Sequence, residues 1–155
     1  MSFQISGLPV AEFVPLFALS DAELAARQIV RRVADARPGF PCRVSLRDAE
    51  VGERVLLLNY EHLAVASPYR SRYAIYVREH ARERRLEVNQ VPEVLSARLL
   101  SVRAFDGEGM LRGAEVVWGQ ELEQLIESML RAPGTCYLHV HNAKPGCFAA
   151  RVDRA

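Results

Sequence analysis

The sequence predicts an α+β fold: one domain over residues 1–155, with a largely antiparallel sheet and two main helices packed against it. Three observations carry the prediction. Strand-type segments outnumber helical ones, the connections between strands are hairpin-like, and strict alternation of strand and helix is absent. A chain of 155 residues, half of them apolar, suits one core. Such a core buries roughly 70% of the unfolded surface.

The elements follow in order. Phe3, Ile5, Leu8, Phe13, Leu16 and Phe17 share their segment with Pro9 and Pro15, which reads as a short strand followed by irregular structure on the core. Ser20-Asp21-Ala22-Glu23 is a capping box, with Ser20 as N-cap and Glu23 at the third helical position. Behind it Ala22, Ala25, Ala26, Ile29, Val30 and Val33 recur at helical spacing opposite Arg27 and Arg31. That predicts a first helix, which Pro38-Gly39 ends.

Strands come next. Cys42–Asp48 alternates, with Val44 and Leu46 on one face and Arg43, Ser45 and Arg47 on the other. Val55-Leu56-Leu57-Leu58 is continuously apolar, so this strand is expected to be covered on both faces. Tyr73–Val77 is rich in β-formers. Arg78–Glu87 mixes both signs of charge and reads as a solvated loop or short helical turn. Ala97–Phe105 and Met110–Trp118 flank Asp106-Gly107-Glu108-Gly109, a four-residue hairpin loop. Leu122, Leu125, Ile126, Met129 and Leu130 then form one apolar stripe, the second helix, which Pro133-Gly134 stops. Two last strands, Cys136–His141 and Phe148–Val152, are joined by Asn142-Ala143-Lys144-Pro145-Gly146.

Charge and cysteine content exclude several classes. A net charge of +1 lacks the basic footprint of a nucleic-acid binder. No Lys or Arg precedes Arg27, and Pro9, Glu12 and Pro15 interrupt the apolar start, so no signal peptide is expected. No stretch reaches the roughly 18 apolar residues of a membrane span. Cys42, Cys136 and Cys147 are an odd and sparse set, which fits a reducing compartment. The expectation is a cytoplasmic protein with no membrane or nucleic-acid partner and no cofactor.

Chemistry concentrates near the C-terminus. On a strand, Tyr137, His139 and His141 share one face, and the two imidazoles lie about 6–7 Å apart. A metal would need a third ligand, from His62, Cys147 or Asp153, and no spacing forces the choice, so no metal is assigned. Cys147 follows Pro145-Gly146 at a turn, where His141 or Lys144 could activate its thiol; the competing reading is a small buried apolar side chain. Lys144 is the sole lysine among 20 basic residues, and an amine, unlike a guanidinium, can lose its proton. Arg43 and Arg151 are forks suited to carboxylate or phosphate, set against the plainer reading of surface ion pairs.

The assembled motifs resemble a known bacterial family, domain of unknown function 1203. Phe3-Gln4-Ile5-Ser6-Gly7-Leu8-Pro9, Pro38–Leu46, Leu56–His62, Ser67-Pro68-Tyr69-Arg70, Val102–Asp106 and His139–Arg154 carry the likeness over nearly the whole chain. The resemblance implies a bacterial cytoplasmic protein of about this length and no activity.

Two functional expectations follow from the residues. The first is a small anionic-ligand-binding or thiol-dependent enzymatic site: Cys147 as nucleophile, His141 as base with His139 beside it, and Arg43, Arg151, Lys144 and Cys42 as ligand-binding groups. Both Cys42 and Cys147 follow Pro/Gly turns, and the site requires those turns to meet. The second is a non-catalytic interaction module or homodimer that buries Phe13, Leu16, Phe17 and Trp118.

Overall fold

A computed structural model describes residues 1–155. Ten strands form two five-stranded sheets, accompanied by four short helices, of which α3 spans Glu93–Ser96. The first sheet contains β1 (Phe3–Ser6), β7 (Leu99–Phe105), β8 (Leu111–Trp118), β9 (Tyr137–Asn142) and β10 (Phe148–Arg154), in the order β1-β10-β9-β7-β8. All its pairs are antiparallel. The second contains β2 (Val30–Val33), β3 (Pro41–Cys42), β4 (Arg47–Asp48), β5 (Arg54–Leu63) and β6 (Ser71–Arg78), in the order β2-β5-β6-β3-β4. Only β3 and β6 run parallel there. The architecture is α+β with mostly antiparallel pairing, as the patterning predicts.

Each sheet has its own core. Beneath the first, α4 (Leu122–Arg131) lays Leu122, Ile126, Met129 and Leu130 against Leu100, Val102, Leu138 and Val140. Arg131 in its last turn complements the helix dipole. A second cluster joins Leu56, Leu58, Ile75 and Val77 of β5 and β6 to Phe13, Phe17 and Leu24 from the N-terminal segment. That segment carries a 3-10 turn at Val10–Glu12 and α1 (Val14–Phe17). Phe13 and Phe17 are therefore core residues with little surface to offer a partner, whereas Trp118 is 61% exposed. In the apolar run Val55–Leu58, Val55, Leu56 and Leu58 are buried, with Val55 and Leu56 in different clusters, while Leu57 is only partly covered.

Two segments differ from the sequence reading. The Ser20 capping box is present, with Glu23 N–H donating to the Ser20 hydroxyl at 3.2 Å and Ser20 N–H donating to the Glu23 carboxylate at 2.7 Å. The helix behind it, α2 (Asp21–Ala25), nevertheless lasts five residues. Ile29 N–H donates to Leu24 O at 3.0 Å and Gln28 N–H to Ala25 O at 2.9 Å, while Gln28 takes φ 59°. This is a Schellman stop with glutamine in the left-handed position. Val30–Val33 then pairs with β5 as an edge strand. At Cys42–Asp48 the expected strand is a turn. Leu46 N–H donates to Cys42 O at 3.1 Å, and Arg43, Val44, Ser45 and Leu46 are all buried, because the turn is packed between the sheets.

Candidate functional site

A cavity of about 620 Å³ opens between the two sheets. Leu57, Tyr73, Ala74 and Tyr76 of β5 and β6 line one side; Leu99 and Trp118 of the first sheet face them. The polar lining is Arg43, Arg98, Asn142, Lys144 and Cys147. Its size and mostly apolar walls with a few convergent polar groups are those of a small-molecule site.

The β9–β10 hairpin delivers three of the polar groups. Asn142 N–H donates to Cys147 O at 2.9 Å and Gly146 N–H to Asn142 O at 2.8 Å, closing the loop Ala143-Lys144-Pro145-Gly146. Gly146 sits at φ 80°, a value that glycine reaches without a Cβ penalty. Lys144 is exposed at the loop tip, and Asn142 and Cys147 face each other beneath it.

Arg43 enters from the β3–β4 turn and is 2% exposed. Its Nε donates to Phe148 O at 2.7 Å, one Nη to Pro41 O, and the other to the Cys147 sulfur at 2.9 Å. Asn142 Nδ2 also approaches that sulfur, at 3.5 Å. Burial pulls the Arg43 guanidinium below its ordinary value, and Cys147 beside it offsets part of the shift. No carboxylate pairs with Arg43. Arg98 differs, since Asp48 grips it with two hydrogen bonds of 2.9 and 2.6 Å.

His139 and His141 lie outside the cavity, on the other face of β9. Alternation along β9 separates them from Asn142, and His141 pairs across the hairpin with Phe148 rather than Cys147. The two imidazoles pack with His62, at ring separations of 6.1 Å (His62–His139), 5.1 Å (His62–His141) and 6.2 Å (His139–His141), around Phe148. His141 Nδ1 donates to Gly146 O at 3.0 Å, whereas His139 Nδ1 and His62 Nδ1 are buried without partners. Burial, reinforced by nearby cations and imidazoles, lowers His139 and His141 to about 3. The rings thus form a neutral aromatic cluster. No group of three or more His, Cys, Asp or Glu side chains is placed to hold a metal ion.

The remaining candidates are scattered. Arg151 forms a bidentate pair with Asp153 and lies 4.0 Å over the Tyr137 ring. Cys42 is buried and its sulfur accepts from Arg78 N–H at 3.2 Å and Ser45 N–H at 3.5 Å. The structure therefore brings Cys147, Arg43 and Lys144 together around the cavity. Cys42 lies next to Arg43 and shares a small pocket with it and Asn142 but does not line the main cavity, and His139, His141 and Arg151 lie outside it. Asn142, Arg98, Tyr73, Tyr76 and Trp118 are cavity residues that the sequence reading did not select. Asn142 had a readable signal, because a four-residue hairpin loop pairs it with Cys147.

A family model described as "Protein of unknown function (DUF1203)" matches residues 39–154. No curated protein and no solved structure matches the chain. No helix is long and apolar enough to cross a membrane.

Proposed function

The chain belongs to the DUF1203 family, and since that family brings no activity with it, we propose a function from the cavity: it binds a small organic anion with an apolar body. The anionic group meets Arg43 at the floor and Lys144 at the rim, and the body lies against Leu57, Tyr73 and Trp118. One observation carries the reading, the buried Arg43 guanidinium without a carboxylate partner. A buried charge is costly unless compensated. Three of the guanidinium's N–H groups have acceptors inside the protein, leaving two of roughly five for a ligand. We further propose a cytoplasmic setting, which its three free cysteines support, and a bacterial source, which the family resemblance implies.

Titration calorimetry with phenylacetate and the uncharged phenylacetamide tests the proposal. Phenylacetate is expected to bind at least about tenfold more tightly, because charge-assisted hydrogen bonds are roughly twice as strong as neutral ones. Lys144→Ala is expected to weaken phenylacetate several-fold and leave phenylacetamide unchanged. Equal affinities, or no saturation by either compound, overturn the reading.

A further inference from the structure

The anion reading leaves one cavity group unexplained. Asn142 is 7% exposed, lines the cavity, and has an Oδ1 buried without any hydrogen-bond donor. An unsatisfied buried acceptor costs on the order of 1–3 kcal/mol, so the site asks for a ligand that brings an N–H or O–H. A carboxylate has neither. Beside this acceptor sits the Cys147 sulfur, held by Arg43 at 2.9 Å and facing the same cavity. The site therefore combines a thiol, a cation next to it, an acceptor waiting for a hydrogen, and an apolar wall.

We infer that Cys147 reacts with an organic hydroperoxide bound in the cavity, with Asn142 and Arg43 placed at the two peroxide oxygens. The inference rests on the reading of this cavity as a small-molecule site and names the reactant. The terminal O–H of R–O–OH donates to Asn142 Oδ1, which turns that oxygen toward the sulfur. Sulfur attacks it, an S–O bond forms and the O–O bond breaks. Sulfur is oxidised by two electrons, which reduce the peroxide bond, and the thiol proton passes to the departing alkoxide. Thiol and hydroperoxide thus give a sulfenic acid and an alcohol, with no other reactant. Negative charge develops on the alkoxide where Arg43 has no competing carboxylate, the arrangement that stabilises a charged transition state. The R group lies against Trp118, Tyr73 and Leu57.

The other cysteines provide an internal comparison. Cys136 is exposed and Cys42 is buried with two backbone N–H groups on its sulfur. The full chain is treated with limiting cumene hydroperoxide in the presence of dimedone, which traps sulfenic acids, and the labelled peptides are mapped by mass spectrometry. Cys147 is expected to be labelled at least about tenfold faster than Cys136, although exposure alone favours Cys136. Trp118→Ala changes a residue that is 61% exposed, so folding is not at stake. It is expected to slow labelling by cumene hydroperoxide about threefold or more and leave labelling by hydrogen peroxide unchanged, since only the former has an apolar body. Faster labelling of Cys136, or a Cys147 rate indifferent to both the R group and Trp118, overturns the inference. If phenylacetate binds while Cys147 stays unlabelled, the reaction is wrong and the anion site stands. Selective labelling of Cys147 without phenylacetate binding supports the reaction and removes the anion reading.

Discussion

Arg43 is presented to the cavity from a tight turn, and the turn is pinned from the N-terminal end of the chain by Gly7. Leu8 N–H donates to Arg43 O at 2.8 Å, which draws the two backbones together. A Cβ on Gly7 would stand 2.5 Å from Arg43 O and 2.8 Å from Val44 O, distances that real side chains do not adopt. Both obstacles are backbone, so they yield only if the turn moves. Gly7→Ala is expected to cost about 1–3 kcal/mol, the range for overpacking a tight site, and to weaken phenylacetate binding at the same time. Urea unfolding and calorimetry on the same variant check both effects; wild-type values in each would show that the turn adjusts freely. Residue chemistry was legible in the sequence where it is local. Cys147, Arg43 and Lys144 stand out by type and turn context, and they do converge. The partner assigned to Cys147 was not legible, because the loop is one residue shorter than the run Asn142–Gly146 suggests. A shift of one residue in a hairpin exchanges the faces of a strand, and it replaces His141 by Asn142 beside the sulfur.

Among the elements, α2 shows why a clear helical pattern can end early. The capping box marks its start, and α4 was legible at both ends from its apolar stripe and Pro133-Gly134. The stop of α2 carries no such mark, since its left-handed residue is Gln28 rather than glycine. Ile29 then packs with Leu24 in the core, completing the hydrophobic contact of a Schellman stop. The β-branched residues Val30 and Val33 pair with β5 as an edge strand. Helical spacing and an edge strand thus share the same sequence, and the capping hydrogen bonds decide between them. Because a side chain in the left-handed region costs roughly 1–2 kcal/mol, Gln28→Gly is expected to raise stability by up to about 1 kcal/mol, after glycine's own unfolded-state entropy is subtracted. A higher urea midpoint with an unchanged slope checks this. A lower midpoint would mean that the Gln28 side chain supplies contacts worth more than the backbone relief. The segment Cys42–Asp48 escaped reading for a related reason. Its alternation implies one polar face, but a turn between two sheets buries all four central residues, Arg43 included.

Across the whole molecule, the α+β class and antiparallel pairing were legible because they follow from local patterning. The division into two sheets was not, since it depends on contacts between distant segments: Leu57 and Tyr73 come to face Cys147 only when the sheets meet. The same assembly gathers His62 of β5 with His139 and His141 of β9, and it has a consequence for stability against pH. Burial is the main cause that lowers all three imidazoles, aided by the Arg103 charge and, for His139, by Arg151 as well. At pH above the ordinary histidine value of 6.5 the rings are neutral folded or unfolded, and they add no pH dependence. As pH falls below 6.5 the unfolded chain takes up protons at these rings, while folded His139 and His141 resist protonation down to about 3. Stability therefore declines with falling pH through that window. Glu53 acts in the same direction, because Arg78 holds its carboxylate down to about 2, but its contribution begins to fade only near the ordinary value of 4.5. Urea midpoints between about pH 7.5 and pH 5 consequently isolate the imidazoles from the carboxylates. The midpoint is expected to drop steadily over this range, and His139→Phe, which keeps a ring among Phe105, Tyr137 and Phe148, is expected to flatten the drop. A midpoint that stays constant in the wild-type protein would mean that the imidazoles accept protons in the folded state, and the cluster would then have to open to water without the fold being lost.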